Sequence, residues 1–110
     1  MPANSTNHRP KLTEDQFQQQ IIDLAKLHGY TLIYHVYDSR RSQAGFPDLV
    51  LVNERRGVAL FRELKTSAGR LTEAQHNWLT GMKIAKLNAD VWRPADLESG
   101  LITKQLRGDA

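Results

Sequence analysis

The middle of this chain, residues 45–65, reads GFPDLVLVNERRGVALFRELK and contains two apolar runs separated by a polar turn. Residues 46–52 and 58–65 are rich in valine, leucine and phenylalanine, a composition typical of strands. Residues 53–57 (NERRG) have the composition of a turn. Because apolar residues occupy both faces of each run, we expect a central β-hairpin that is covered on both faces.

Charged residues stand at the open end of this hairpin. If Asn53 lies opposite Val58, the same count places Asp48 opposite Glu63, and opposed residues on one face have Cβ atoms ~4.5–5.5 Å apart. Side chains alternate along a strand, so Lys65 shares the face of Glu63. The sequence therefore predicts two carboxylates and an ammonium group in a single patch.

This patch has the residue types that phosphodiester hydrolysis needs. A divalent metal held by Asp48 and Glu63 can activate water and neutralise charge on the phosphate, while Lys65 can orient the water or stabilise the transition state. An E-x-K triplet alone has little weight, because it is expected by chance in about a third of chains of this length. The strand context and the register with Asp48 favour a metal site over structural ion pairs, which remain the alternative.

Two helices are predicted beside the hairpin. Thr13 and Gln16 form a capping box ahead of apolar residues at helical spacing, and Gly29 marks the end of that helix. Thr72 and Gln75 form a second capping box, followed by another helical pattern. Both helices can therefore cover the hairpin.

Further elements complete the fold. Residues 31–37 (TLIYHVY) predict a strand before the hairpin, and residues 88–92 (NADVW) predict a short strand after it. Pro94 suits the first position of a weak final helix that extends to Leu106. The order helix, three strands, helix, strand, helix indicates an α/β fold with a mixed sheet flanked by helices.

Composition limits the class of protein. We expect one domain, residues 12–106, between a flexible N-terminal tail (1–11) and a C-terminal tail (107–110). The net charge of +3 permits attraction to nucleic acid without demanding it, and the absence of cysteine excludes disulfides and thiolate zinc sites.

The sequence has no signal peptide and no apolar run long enough to span a membrane, so we expect a cytoplasmic protein. Because the chain has no thiolate, carboxylate oxygens are the expected metal ligands, and oxygen ligands favour magnesium or manganese.

The quoted residues resemble the VRR-Nuc branch of the PD-(D/E)XK nuclease superfamily, from about Leu12 to Asp96. Besides the hairpin, the similarity includes Glu14 in T-E-x-x-F-Q and Gln75 in L-T-x-x-Q. The segments that carry the resemblance are GFPDLVL (45–51), ELK (63–65), the two helix starts just named and VWRP (91–94).

The resemblance implies a restriction-endonuclease-like core and an endonuclease that depends on Mg²⁺ or Mn²⁺. It implies Glu14, Asp48, Glu63 and the carbonyl of Leu64 as metal ligands, with Lys65 as the catalytic lysine. It also implies an active-site role for Gln75. Stand-alone members are similar to phage-encoded Holliday-junction resolvases, which implies branched DNA as the substrate, a homodimer, and the host cytoplasm as the location if the chain is phage-encoded.

Two of these residues also have simpler explanations. Glu14 lies in a first helical turn, where the helix dipole favours a carboxylate, and the capping box accounts for Gln75. Arg40 and Arg41 precede Asp48 in a polar loop, so they are candidates for DNA phosphate contacts or are merely solvated.

Three residues have mainly structural interpretations. His35 lies within a predicted strand and is more typical of a satisfied sheet residue than of a ligand. Trp78 and Trp92 are expected in the core, since Trp78 falls on the apolar face of its helix; stacking on bases is the minor alternative.

Other functions remain open from the sequence. One is a DNA-binding module that has lost hydrolysis, and another is an interaction protein with structural ion pairs. Among nucleases, a nicking or repair enzyme and a restriction-type enzyme with a separate specificity subunit are alternatives to a resolvase. A small single domain favours recognition of DNA shape and backbone over base reading.

Overall fold

The computed structural model describes residues 12–36 and 43–109. The predicted α/β fold with a mixed sheet and flanking helices is confirmed. No helix in the described ranges is long and apolar enough to span a membrane. In chain order, the elements are α1 (Glu14–Leu27), β1 (Leu32–His35), β2 (Leu49–Asn53), β3 (Val58–Leu64), α2 (Glu73–Ile84), β4 (Asn88–Trp92), α3 (Pro94–Glu98) and α4 (Leu101–Arg107).

The sheet has the strand order β1-β2-β3-β4, with antiparallel pairs up to β3 and a parallel pair between β3 and β4. Asn53 lies opposite Val58 and Leu49 lies opposite Arg62, so the predicted hairpin register is confirmed. The parallel β4 requires a crossover, and α2 provides it.

Both long helices begin with the capping boxes predicted from the sequence. The hydroxyl of Thr13 accepts the N–H of Gln16 at 3.1 Å, and the Gln16 amide oxygen accepts the N–H of Thr13 at 3.0 Å. Thr72 and Gln75 make the same pair of bonds at 3.1 and 2.9 Å. These bonds satisfy amide donors that have no partner within the helix.

The hairpin is covered on both faces, as predicted. A smaller cluster of Leu79, Met82 and Ala89 packs with partly buried Phe46 and Phe61. The larger cluster joins α1 and α4 to the sheet, and Trp92 is fully buried there, as expected. Its buried members are Phe17, Ile21, Ile22, Ala25, Tyr30, Leu49, Leu51, Leu60, Leu64, Trp92, Ile102 and Leu106.

Two expectations need correction. Trp78 is not a core residue: it is 37% exposed and packs edge-on against Phe46, with ring centroids 5.3 Å apart, because its helical position lies at the margin of the smaller cluster. The final helical segment is also interrupted. Gly100 has φ of +85°, a left-handed conformation that ends α3 and lets α4 start in a new direction.

The limits of three strands differ from the prediction, and the third strand ends at Leu64, one residue earlier than predicted. The second strand begins at Leu49 and not at residue 46, because Pro47 has no N–H to donate to the sheet. The first strand covers Leu32–His35, a shorter span than the predicted 31–37, and residue 37 lies outside the described ranges. The predicted N-terminal tail (1–11) also lies outside them.

Candidate active site

Asp48 and Glu63 meet at the end of the hairpin away from its turn. Asp48 directly precedes β2, and Glu63 is the next-to-last residue of β3. The Asp48 carboxylate accepts the main-chain N–H of Leu64 at 2.9 Å, while its carbonyl accepts the N–H of Val36 at 3.2 Å. Asp48 is therefore fixed between two neighbouring segments of the sheet.

Glu63 is buried, with only 3% of its surface exposed. Its Oε2 accepts a hydrogen bond of 2.9 Å from the side-chain amide of Gln75, and the Lys65 ammonium lies 3.8 Å from the same oxygen. Its Oε1 is buried and accepts no hydrogen bond within the described chain. One oxygen of the carboxylate thus has two polar neighbours, and the other has no donor.

The surroundings of Glu63 favour its neutral form. The pKa of Glu63 is raised from 4.5 to about 8, mainly by burial and next by the negative charge of Asp48. A hydrogen bond between the two carboxyl groups acts in the same direction, and such a bond requires a proton on one of them. When both groups are ionised this bond cannot form, and among the influences on Glu63 only the positive charge of Lys65 lowers its pKa.

A buried oxygen without a donor, beside a second carboxylate, fits a cation. Asp48 and Glu63 would hold a divalent metal ion, which when bound supplies water activation and charge neutralisation. Over residues 12–36 and 43–109, no three Asp, Glu or His side chains form a group able to hold a metal ion. The described side chains therefore provide a two-carboxylate site.

Glu14 and Leu64 complete the predicted ligand set. Glu14 is exposed in the first turn of α1, and its charge is the weakest of the named influences on the pKa of Glu63. The Leu64 side chain is buried in the larger core cluster, and its N–H is bonded to Asp48. Metal binding by Glu14 and by the Leu64 carbonyl stays a prediction.

Lys65 and Gln75 both reach the patch. The side chain of Lys65 is 16% exposed, and its main-chain N–H donates to the carbonyl of Trp92 at 3.1 Å. The amide oxygen of Gln75 caps α2, while its amide nitrogen donates to Glu63. The structure therefore brings Asp48, Glu63, Lys65 and Gln75 together. An active-site role for Gln75 stays a prediction.

Other residues singled out from the sequence lie elsewhere. The ring of His35 and the amide of Gln18 lie 3.0 Å apart, which agrees with the structural interpretation of His35. Arg40 and Arg41 lie outside the described residues, so their contact with DNA stays a prediction.

Arg62 is a buried arginine for which the sequence patterns predicted no role. It is 1% exposed, lies 4.8 Å from the ring centre of Trp92 and donates to the main-chain and side-chain oxygens of Asn88. Burial lowers the pKa of Arg62 to about 10. Since it neighbours Glu63 in β3, it faces away from the site, and the alternation of the strand was the only available signal.

A four-stranded mixed sheet with paired carboxylates and a lysine at one end defines a nuclease-like class of α/β domain. A solved structure described as "VRR_NUC domain protein" is similar to this chain in fold, with a TM-score of 0.64 and 20% sequence identity, over 87% of this chain and 89% of that one. A family model of the VRR-NUC domain matches residues 4–93. The chain belongs to this nuclease-like family. The search of curated proteins gives no match.

Proposed function

We propose that this protein is a metal-dependent endonuclease that hydrolyses phosphodiester bonds in DNA. The observation that carries the proposal is the buried Glu63, whose Oε1 lacks a hydrogen-bond donor next to Asp48. A purely structural carboxylate at this depth would normally have both oxygens satisfied, because an unpaired buried charge is costly. A divalent cation would satisfy this oxygen.

Each side chain in the patch suits a step of hydrolysis. Asp48 and Glu63 would hold the Mg²⁺ or Mn²⁺ ion, with Glu14 and the Leu64 carbonyl as further ligands. Lys65 places a positive charge where it can orient the attacking water or stabilise charge on the phosphate. Gln75 holds Oε2 of Glu63 and so leaves Oε1 to face the cation.

The proposed substrate is branched DNA, cut by a homodimer in the manner of a Holliday-junction resolvase. One domain has one such patch, so two symmetric cuts require two copies. The net charge of +3 suits backbone recognition, with Arg40 and Arg41 as phosphate contacts beside the scissile bond. The protein would act in the cytoplasm.

The test is cleavage of labelled four-way junction, flap, single-stranded and linear duplex DNA with Mg²⁺, Mn²⁺ or EDTA. Wild type is compared with Asp48→Asn and Lys65→Ala. Matched controls are Asp90→Asn and Lys83→Ala, which remove the same charges from an exposed ion pair with a 3.7 Å separation.

Metal-dependent cutting that is lost in the two site variants and kept in the two controls is the expected result. Paired symmetric cuts confined to the junction support the resolvase and the dimer. DNA binding without cutting in any metal overturns the proposal in favour of a DNA-binding module that lacks hydrolysis.

A further inference from the structure

We propose that Arg93 is a positioning residue that holds Lys65 in the active site by clamping the loop that follows it. The proposal rests on the proposed nuclease function only for its effect on cleavage. The claim that Arg93 restrains Lys65 concerns the described residues alone and can be tested without DNA.

The clamp consists of two short hydrogen bonds. Nη1 of Arg93 donates to the carbonyls of Thr66 and Gly69, both at 2.7 Å. The N–H of Gly69 donates to the Thr66 carbonyl at 3.2 Å, so the guanidinium grips both ends of one turn. Bonds from a charged donor are about twice as strong as neutral ones, which suits a loop with no regular secondary structure.

The turn lies directly against Lys65. A Cβ added at Gly69 would be 3.4 Å from Cδ of Lys65 and 3.1 Å from Oγ1 of Thr66. The turn therefore packs beside the methylene stem of the lysine, whose ammonium lies 3.8 Å from Glu63. Movement of the turn would free the stem and widen the range of positions open to the ammonium.

Arg93 is itself anchored on the core. Trp92, the residue before it, is fully buried and donates its indole N–H to Gln105 at 2.7 Å. The N–H of Arg93 donates to the Asp96 carboxylate at 2.8 Å. The Trp92 carbonyl also accepts the N–H of Lys65. The end of β4 thus holds the main chain of Lys65 through Trp92 and the following turn through Arg93.

A role in binding DNA phosphate is the competing explanation, and the contacts disfavour it. One terminal nitrogen of Arg93 is already bonded to two carbonyls, so it is committed to the protein. A phosphate contact contributes to substrate binding, whereas a residue that positions Lys65 contributes to the chemical step. Loss of a phosphate contact is therefore expected to raise KM, whereas loss of a residue that positions Lys65 is expected to lower kcat.

The first measurement needs no cleavage. Acetylation of individual lysines by an amine-reactive ester is followed by mass spectrometry in wild type, Arg93→Met, Arg93→Lys and the control Arg107→Met, which removes an exposed arginine of α4. We expect Lys65 to react several-fold faster in Arg93→Met, at an intermediate rate in Arg93→Lys and at the wild-type rate in Arg107→Met, while exposed Lys83 reacts equally in all four proteins. An unchanged Lys65 rate in Arg93→Met overturns the clamp, whether or not the protein cuts DNA.

The second measurement is cleavage kinetics. We expect Arg93→Met to lower kcat roughly 10- to 100-fold with KM nearly unchanged, and Arg93→Lys to restore part of the rate because an ammonium group can also donate to two carbonyls. In the Lys65→Ala background, Arg93→Met should cause little further loss, since it acts through Lys65. A raised KM with unchanged kcat, or additive losses in the double variant, overturns the proposal in favour of a direct DNA contact.

Discussion

The side-chain amide of Gln75 donates a 2.9 Å hydrogen bond to Oε2 of Glu63, and so joins the first turn of α2 to the end of β3. The same side chain accepts the N–H of Thr72. A residue that could be explained by helix capping alone therefore also contacts the candidate active site, and a substitution can separate the two contacts.

Gln75→Glu keeps the acceptor that caps α2 but removes the donor to Glu63 and adds a like charge beside it. We expect a loss of cleavage of roughly 10- to 100-fold, in the range typical of residues that orient metal ligands. The control is Gln16→Glu, which makes the same change in the exposed capping box of α1. Equal activity in the two variants would show that Gln75 is only a cap.

The stability of the metal-free protein should depend on the ionisation of Glu63. Its pKa is raised from 4.5 to about 8 in the folded state, so folding is favoured while Glu63 is protonated. This contribution is complete below the unfolded pKa near 4.5 and is lost as the pH rises through the folded pKa near 8.

In EDTA, the free energy of unfolding should therefore fall between pH 5 and pH 8, by at most ~1.4 kcal/mol per pH unit from this group. Denaturant titrations of wild type and Glu63→Gln measure it, with exposed Glu98→Gln as the control. The same slope in Glu63→Gln as in wild type would contradict the assignment.

Divalent metal should stabilise the protein most where Glu63 is ionised. A ligand that binds only the folded state adds about 2.7 kcal/mol at a concentration 100 times its Kd. We expect Mn²⁺ to raise the Tm of wild type at pH 8 and to raise it much less in Asp48→Asn and Glu63→Gln. Thermal melts with Mn²⁺ and with EDTA provide the comparison, and equal shifts in all three proteins would place the metal elsewhere.

The approach of Asp48 to the site depends on close packing at Gly45. Its φ is +91°, and a Cβ there would overlap the carbonyl of Ala74 and lie 2.8 Å from Cδ1 of Trp78. Gly45→Ala should push the segment before β2 away from α2, reduce cleavage and destabilise the fold.

Gly57→Ala is the matched control, because Gly57 also has a positive φ, of +67°, but has open space around the added Cβ. Both variants carry backbone strain, so their difference isolates the clash, for which we expect about 1–3 kcal/mol. Chemical unfolding curves measure the difference. Equal free energies of unfolding in Gly45→Ala and Gly57→Ala would mean that α2 can move to accept the added Cβ without destabilising the fold.

Local rules were enough to predict much of this protein. Capping boxes, apolar periodicity and strand composition are short-range signals, so both long helices and the central hairpin were predictable. The hairpin register followed from the length of the turn, and it correctly predicted that Asp48 and Glu63 lie close together. The core position of Trp92 also followed, whereas that of Trp78 did not, because helical periodicity cannot tell how far a neighbouring sheet extends.

The contacts that complete the site are long-range and were decided by the tertiary structure. Gln75 reaches Glu63 only because α2 crosses over to return β4 parallel to β3, and Arg93 reaches the turn after Lys65 only because β4 ends beside it. The burial that raises the pKa of Glu63 likewise comes from the packed domain. The sequence by itself determined which residues share a strand face, since that depends on alternation along one chain segment. Only the tertiary structure decided which distant side chains hold them in place, because those contacts depend on how separate elements pack.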